Sequence, residues 1–501
     1  MNILEVTSRT ITIEIENQMP YYSSGDYSVE VNGVFYMRTN INVFTIYDLL
    51  PNTDYEIQVM DEKIHICTLS ETLMLNVKDF NAIGDGISDD TIKIMAAISC
   101  VPKNGCVYIP KGTYLISSLF LKSDMTLYFE QGAKFLAKYE RMDFPILPGE
   151  VQDHFFGTWE GSLVSGFASI INAIDAKNIR ILGQGEIDCQ ASLGDWYKNH
   201  REKRIAWRGF GMYFKGCENV SVVGIHIHDT PSWNVHPFFS SHLKFLNMKI
   251  TNPPAMPTTD GLDPDCTTDC LIAGCYFSVG DDCIAIKSGT YSLAKQYRKA
   301  SSNIIIRNNL MEHGHGGVVF GSESSGGISN VTVEKCIFRN TDRGLRIKTR
   351  RGRGNIGSID QIHFNNIIMS AVKTPFVINM YYNMGPAGGH EEYVWSTKFH
   401  PVDEFTPILG SFTFQNMKCD KVGYAAGVFL GLPEAKIKKL CFRNVDFSFD
   451  ESIEEGYPVM IEHNFTLKNA GLYCFNVEEI QCDNVTFNHC KGETIIRKDS
   501  M

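Results

Sequence analysis

The sequence predicts an all-β protein in two parts: a small β-sandwich over residues 1–70, then a right-handed parallel β-helix over residues 73–495. Three features point to it. Short β-branched runs recur from NVSVVGIHIHD through HLKFLNMKITN, CLIAGCYFSV, NIIIRNNLM and NVTVEKCIFRN to QIHFNNIIMS, at a spacing of roughly 23 to 33 residues. Most are followed by a second apolar run, such as CIAIKSG, GVVFGS, GLRIKTR or FVINMYY. One amphipathic segment stands in front of the series. Self-similarity at this period means stacked coils, about ten of them, burying a continuous apolar axis. A β-propeller would want longer repeats of four antiparallel strands with hairpin turns, and those are not evident.

Along the chain, TITIEI, YSVEVNG and FTIYDLLPNTDYEIQV alternate apolar and polar residues between turns, as half-buried strands do. Leu49, Pro51, Thr53 and Tyr55, followed by EIQV, resemble the fibronectin type III signature, in which a tyrosine hydroxyl bonds back to nearby backbone. That domain is expected to dock or space, with no chemistry visible in it. In LNVKDFNAIGDGISDDTIKIMAAISC, Ser88 is expected to cap a helix. Its first turn would carry Asp89 and Asp90, with Ile92, Met95 and Ala96 on one face. Such a helix would cover the open first coil.

A chain of 501 residues, 44% hydrophobic and 21% charged, can bury a large core. Its formal charge of -11 argues against general nucleic-acid binding. No run approaches the ~20 apolar residues of a membrane span. The opening MNILEVTSRTITIEIEN lacks the basic and apolar regions of a secretory signal, so a cytoplasmic location is expected. The 15 cysteines include no CxxC pair, which speaks against a disulfide framework or a zinc ribbon. Cys266, Cys270, Cys275 and Cys283 crowd together as small residues on neighbouring strands would, and no metal or other cofactor is expected. Oligomeric state is not readable.

Chemistry in a solenoid should appear as polar residues at the same phase of consecutive repeats, because equivalent strands stack about 4.8 Å apart. Asp260 in PTTDGLDPD, Asp281 and Asp282 in SVGDDCIAIKSG, His315 in HGHGGVVFGSE, and Arg346 with Lys348 in DRGLRIKTR meet that condition. Neighbours on a strand face opposite ways, so Asp281 and Asp282 share a site only if the chain bends, a freedom assigned to Gly280. Arg346 and Lys348 alternate with Leu345 and Ile347 and face outward. Three close carboxylates raise at least one pKa, which permits an acid beside ionised bases, as glycoside hydrolysis requires.

The series TDG, DD, GHG and RIK, with DFNAIGDGISDDT, FASIINA, ILGQGEID, TPSWNVHP, GLDPDC and GGVVFGSE, resembles glycoside hydrolase family 28, the polygalacturonases, from Leu73 to about Met380. The fibronectin-like start makes it most like bacterial exo-acting members. The resemblance implies a pectin-lyase-like solenoid and hydrolysis of α-1,4-galacturonosyl linkages in polygalacturonate or oligogalacturonates. It also implies inversion by direct water attack, with carboxylates on the order of 6.5–9.5 Å apart. It assigns Asp281 as general acid, and Asp260 and Asp282 to the water. His315 would hold the acid site's charge and geometry, and Arg346, Lys348 and Tyr382 would bind substrate. Thr259 stands where the family usually has Asn, which loses an amide donor beside Asp260.

Rival readings are a rhamnogalacturonan or xylogalacturonan hydrolase, a pectate lyase with calcium on Asp263, Asp265, Asp281 and Asp282, and a non-catalytic carbohydrate-binding β-helix. The basic run TDRGLRIKTRRGRG reads as counter-charge to an acidic saccharide. In it, Arg350, Arg351 and Arg353 are expected in a neighbouring subsite or in solvent.

Overall fold

The computed structural model describes residues 1–383, 392–462 and 464–499. Asn2–Val6, Ile11–Glu14 and Val43–Ile46 form one antiparallel sheet. Val34–Ile41, Tyr22–Val31, Asp54–Val59 and Glu62–Cys67 form a second, in that order. Alternation puts Ile11, Ile13, Val29, Phe44, Ile57 and Val59 between them in a core of their own. The Leu50 N–H donates to the Tyr55 hydroxyl at 2.8 Å, tying that strand to the turn before it. The sandwich sits against the solenoid: Asn308 donates to Glu14 at 2.7 Å, and Asn247 to the Val43 carbonyl at 2.7 Å.

The rest is a parallel β-helix, right-handed as parallel crossovers are. One buried ladder shows its logic. Val107, Leu127, Ile181, Val222, Phe245, Ile272, Ile306, Val333, Phe364, Phe414 and Phe442 stack in register, one residue per coil. With Leu75 and Cys482 at its ends the ladder has thirteen rungs. The repeat spacing suggests about ten coils because the first coils lack the period.

Several of these runs are preceded by asparagine, as in KNI, ENV, SNI and SNV. Asn178, Asn219, Asn303 and Asn330 all take a left-handed conformation, with φ between 52° and 57°. Their amides join across coils, Asn219 to Asn178 at 2.7 Å and Asn330 to Asn303 at 2.8 Å. The residue that starts each coil therefore also turns it and pins it to the one before.

The helix spans Thr91–Cys100, and its placement corrects the sequence reading. Ser88 belongs to the strand Asp85–Asp89, and Asp90 is the N-cap residue. The Asp90 carboxylate accepts the Ile83 and Gly84 N–H groups, both at 2.8 Å. That anchor fixes the helix rotation, so Ile94, Ala97 and Ile98 face the core while Ile92 is 82% exposed. Among the described residues no helix is long and apolar enough to cross a membrane. Cys266, Cys270, Cys275 and Cys283 are all buried free thiols, three of them in the solenoid core.

Candidate active site

One parallel sheet of the solenoid carries the site. Its four-stranded part ends with Val235–Phe238 and its seven-stranded part begins with Asp282–Ile286. Between them the segment holding Asp260, Asp263 and Asp265 is too bent for a strand. Single bridges from Leu262 and Asp265 keep the stack continuous.

Two small residues make the bend possible. Gly280 is needed for space rather than for an unusual φ, since a Cβ there would lie 2.2 Å from the Met256 carbonyl oxygen. Thr259 donates to that carbonyl at 2.8 Å and accepts the Gly280 N–H at 3.1 Å. Its hydroxyl thus ties together the two turns that present Asp260 and Asp281.

Asp281 is 24% exposed. It accepts the Thr258 N–H at 3.2 Å and lies 3.3 Å from Nδ1 of the half-exposed His315. Asp282, two strands before Arg346 and Lys348, is sealed beneath them. Arg346 Nη1 reaches it at 3.2 Å and Lys348 Nζ at 2.7 Å. The intervening coil offers Gly316 opposite Asp282, where a Cβ would fall 3.1 Å from the Asp282 carboxylate. A larger residue there would crowd the ion pairs.

Asp260, Asp281 and Asp282 each place an oxygen within 4.8 Å of the others. The family resemblance implies a wider spread, although nearest-oxygen distances run shorter than distances between whole carboxyl groups. Buried cations explain how the three sit so close. Oxygens at this separation can share one bridging water, given hydrogen bonds of about 2.8 Å on each side.

Charge is divided unevenly. Burial, then Asp263 and Asp281, push the Asp260 pKa well above the usual carboxylate range. Burial also lifts Asp263 to about 7, despite Lys287. Asp282 stays well below the ordinary value because Lys348 and Arg346 outweigh burial. Asp281 is likewise lowered: burial opposes its charge, but the hydrogen bond from His315 prevails. His315 is raised by the same bond. Burial and its neighbours thus favour the protonated form on Asp260 over Asp281 and Asp282, and Asp281 and His315 each favour the other's charged form.

Asp260, Asp281, His315, Arg346, Lys348 and Tyr382 line a cavity of about 220 Å³. The Tyr382 ring stands 5.9 Å from the Arg346 guanidinium carbon and 5.7 Å from Lys348 Nζ. Tyr381 points away, its hydroxyl on the Gly431 carbonyl at 2.9 Å.

The end of the basic run departs from the sequence reading. Arg351 is fully buried and makes five bonds, two to Glu434 and one each to the carbonyls of Tyr393, Ser396 and Lys398. It has no donor left for a sugar. Arg350 is buried and lies outside the cavity lining, and Arg353 is committed to Glu323 at 3.1 Å. None of the three is in solvent.

Four further charged groups line the cavity without having been singled out from the sequence: Glu160, Arg201, Lys287 and Glu323. Lys287 lies 3.3 Å from Asp263, 3.7 Å from Asp260 and 3.8 Å from Glu323, with its ammonium 4.6 Å from the Trp233 ring centroid. The signal for it was present, since Lys287 follows the apolar run CIAI as Lys348 follows GLRI. Calcium on the set that a lyase reading requires would have to compete with three buried cations, Lys287 beside Asp263 and Arg346 and Lys348 on Asp282.

Comparisons with known proteins agree with this architecture. The family described as "Glycosyl hydrolases family 28" matches residues 103–396. A "Probable polygalacturonase" of Vitis vinifera is 29% identical, over 73% of this chain and 72% of that protein. One of Arabidopsis thaliana, "Probable polygalacturonase At3g15720", is 30% identical over 68% and 67% respectively. The "Exo-poly-alpha-D-galacturonosidase" of Dickeya chrysanthemi is 25% identical over 72% and 67%. The solved Yersinia enterocolitica family 28 exopolygalacturonase shares the fold with a TM-score of 0.73 at 20% identity, over 98% of this chain and 95% of that one. The Thermotoga maritima exopolygalacturonase does so with 0.65 at 24%, over 79% and 95%. The match over residues 103–396, which includes every carboxylate of the cavity, makes the chain a member of glycosyl hydrolase family 28 and a glycosidase.

Proposed function

We propose that the protein hydrolyses α-1,4-galacturonosyl linkages of polygalacturonate or its oligomers, from the non-reducing end and with inversion. One observation carries the reading: three carboxylates converge within 4.8 Å beside a cavity that Arg346, Lys348, Lys287 and Arg201 also line. Carboxylates supply proton transfer, and the cations suit a sugar that carries its own carboxylate.

Asp281 is the general acid. Its proton comes from His315 across the 3.3 Å contact, as a bound sugar excludes water and makes a charged Asp281 costly. It then passes to the leaving glycosidic oxygen. Asp260 and Asp282 flank the attacking water, and Asp282, kept ionised by Arg346 and Lys348, accepts the proton that the water gives up as its oxygen bonds to the anomeric carbon. Tyr382 and Arg346 line the face that receives the sugar ring and its carboxylate.

Exo action is supported by two excursions from the solenoid that border the cavity. Residues 138–170 contribute Glu160 and residues 189–211 contribute Arg201, and the Thr290 hydroxyl donates to the Gly161 carbonyl at 3.0 Å, holding the first in place. The fifteen free thiols, Cys67, Cys100 and Cys482 exposed among them, favour a reducing compartment such as the cytoplasm.

The test is product analysis on digalacturonate, polygalacturonate and rhamnogalacturonan oligomers. Short galacturonates released from the first two, with new reducing ends and no unsaturated product absorbing in the ultraviolet, are expected. Release from rhamnogalacturonan alone would move the assignment to that branched substrate class.

A further inference from the structure

A second cluster of ligating side chains lies on a different sheet from the carboxylate cavity. Glu186 and Asp188 alternate on the strand Glu186–Asp188, and His226 and His228 on the parallel strand His226–His228. The register is Glu186 opposite His226 and Asp188 opposite His228. Between them Ile187 and Ile227 point into the core, so all four polar side chains share the outer face.

The geometry is close. His228 Nε2 lies 3.0 Å from Glu186 Oε1, and its Nδ1 lies 3.8 Å from Asp188 Oδ1. The two imidazole rings stand 4.8 Å apart, centre to centre. One ligand atom from each of Glu186, His226 and His228 falls within 4.8 Å of the others. The set is half-buried, and a cavity of about 410 Å³ that His228 and Asp188 help to line gives a way in. Thr251 bonds His226 Nε2 at 2.9 Å and fixes its ring.

We propose that Glu186, His226 and His228 bind a divalent transition-metal ion of the zinc or copper class and staple neighbouring coils of the solenoid. Two imidazoles and a carboxylate are the donor set for such ions, whereas calcium and magnesium prefer oxygen alone. Lys134 identifies where positive charge is already favoured: its Nζ lies 2.8 Å from Glu186 and 2.7 Å from Asp188. A metal ion must displace that ammonium, so lysine and metal compete.

The test uses the full-length chain with its exposed thiols alkylated, titrated with ZnCl₂ and, in parallel, with CuCl₂. Thermal unfolding and the electron paramagnetic resonance of bound Cu²⁺ are the readouts. Zinc is expected to raise Tm and calcium to leave it unchanged, and one equivalent of Cu²⁺ should show two imidazole nitrogens. His228→Ala should weaken binding by more than the roughly 10- to 100-fold that loss of an outer-sphere partner costs. Lys134→Gln, which leaves every ligand in place, should tighten it. Equal affinity in wild type and His228→Ala, a copper spectrum without two nitrogens, or weaker binding in Lys134→Gln would each overturn the site. Turnover of oligogalacturonate should stay the same in both variants, since neither residue lines the carboxylate cavity.

Discussion

Lys348 Nζ lies 2.7 Å from Asp282 although the two residues are separated by a whole intervening coil. The coil between them carries glycines at both aligned positions, Gly316 opposite Asp282 and Gly321 opposite Lys348. Lys348→Met would leave Asp282 to Arg346 alone. We expect KM for oligogalacturonate to rise and the enzyme to lose stability, because a buried carboxylate has lost half its compensation. Steady-state kinetics with a thermal melt separates the two effects.

Asp281→Asn should lower kcat by about 10²- to 10⁴-fold, the range general acid catalysis supplies, and leave binding of a short galacturonate largely intact. Calorimetry on the variant checks the second half. Equal turnover would remove Asp281 from the role of acid and turn attention to Asp260, whose pKa burial raises.

The Asp281–His315 pair sets a pH window. His315 is raised above its ordinary value of about 6.5, so its proton is held below that pH and lost as pH rises through the raised value. Asp281 is depressed, so its charge persists until pH falls through its lowered value. The alkaline limb of kcat/KM is therefore expected above 6.5 or so, and His315→Asn should move or abolish that limb while the acid limb remains.

Arg351→Met separates a fold-holding arginine from a substrate-binding one. Its partner Glu434 would be left buried and unpaired, a cost of about 3–5 kcal/mol. A large fall in Tm with KM unchanged in the folded fraction is the expected result. A rise in KM without loss of Tm would return Arg351 to the substrate.

Lys287→Met tests the cation that sequence reading passed over. Asp260, Asp263 and Glu323 would lose a shared partner, and at least one of them should take up a proton. The acid limb of the pH–rate profile is expected to shift upward, with a marked loss of Tm.

The solenoid, the order of its site residues and its family were legible in the sequence, because stacked coils repeat locally. An asparagine that turns the chain, an alternating apolar run and a polar residue at fixed phase recur within a few tens of residues, and each states its place independently of the rest. That phase pointed to Asp260, Asp281, Asp282, His315, Arg346 and Lys348, which the fold brings together. What phase does not carry is reach. Whether an arginine of the run RIKTRRGRG meets a sugar or Glu434 depends on chain that arrives more than eighty residues later. The exchange of Asp282 between solvent and two cations depends on glycines one coil away. Helix rotation around Asp90, the two excursions that bring Glu160 and Arg201 to the cavity, and the opposite pKa shifts of Asp260 and Asp281 are likewise consequences of burial and of which charges burial brings together. Those are properties of distance in space, and only the tertiary structure sets them.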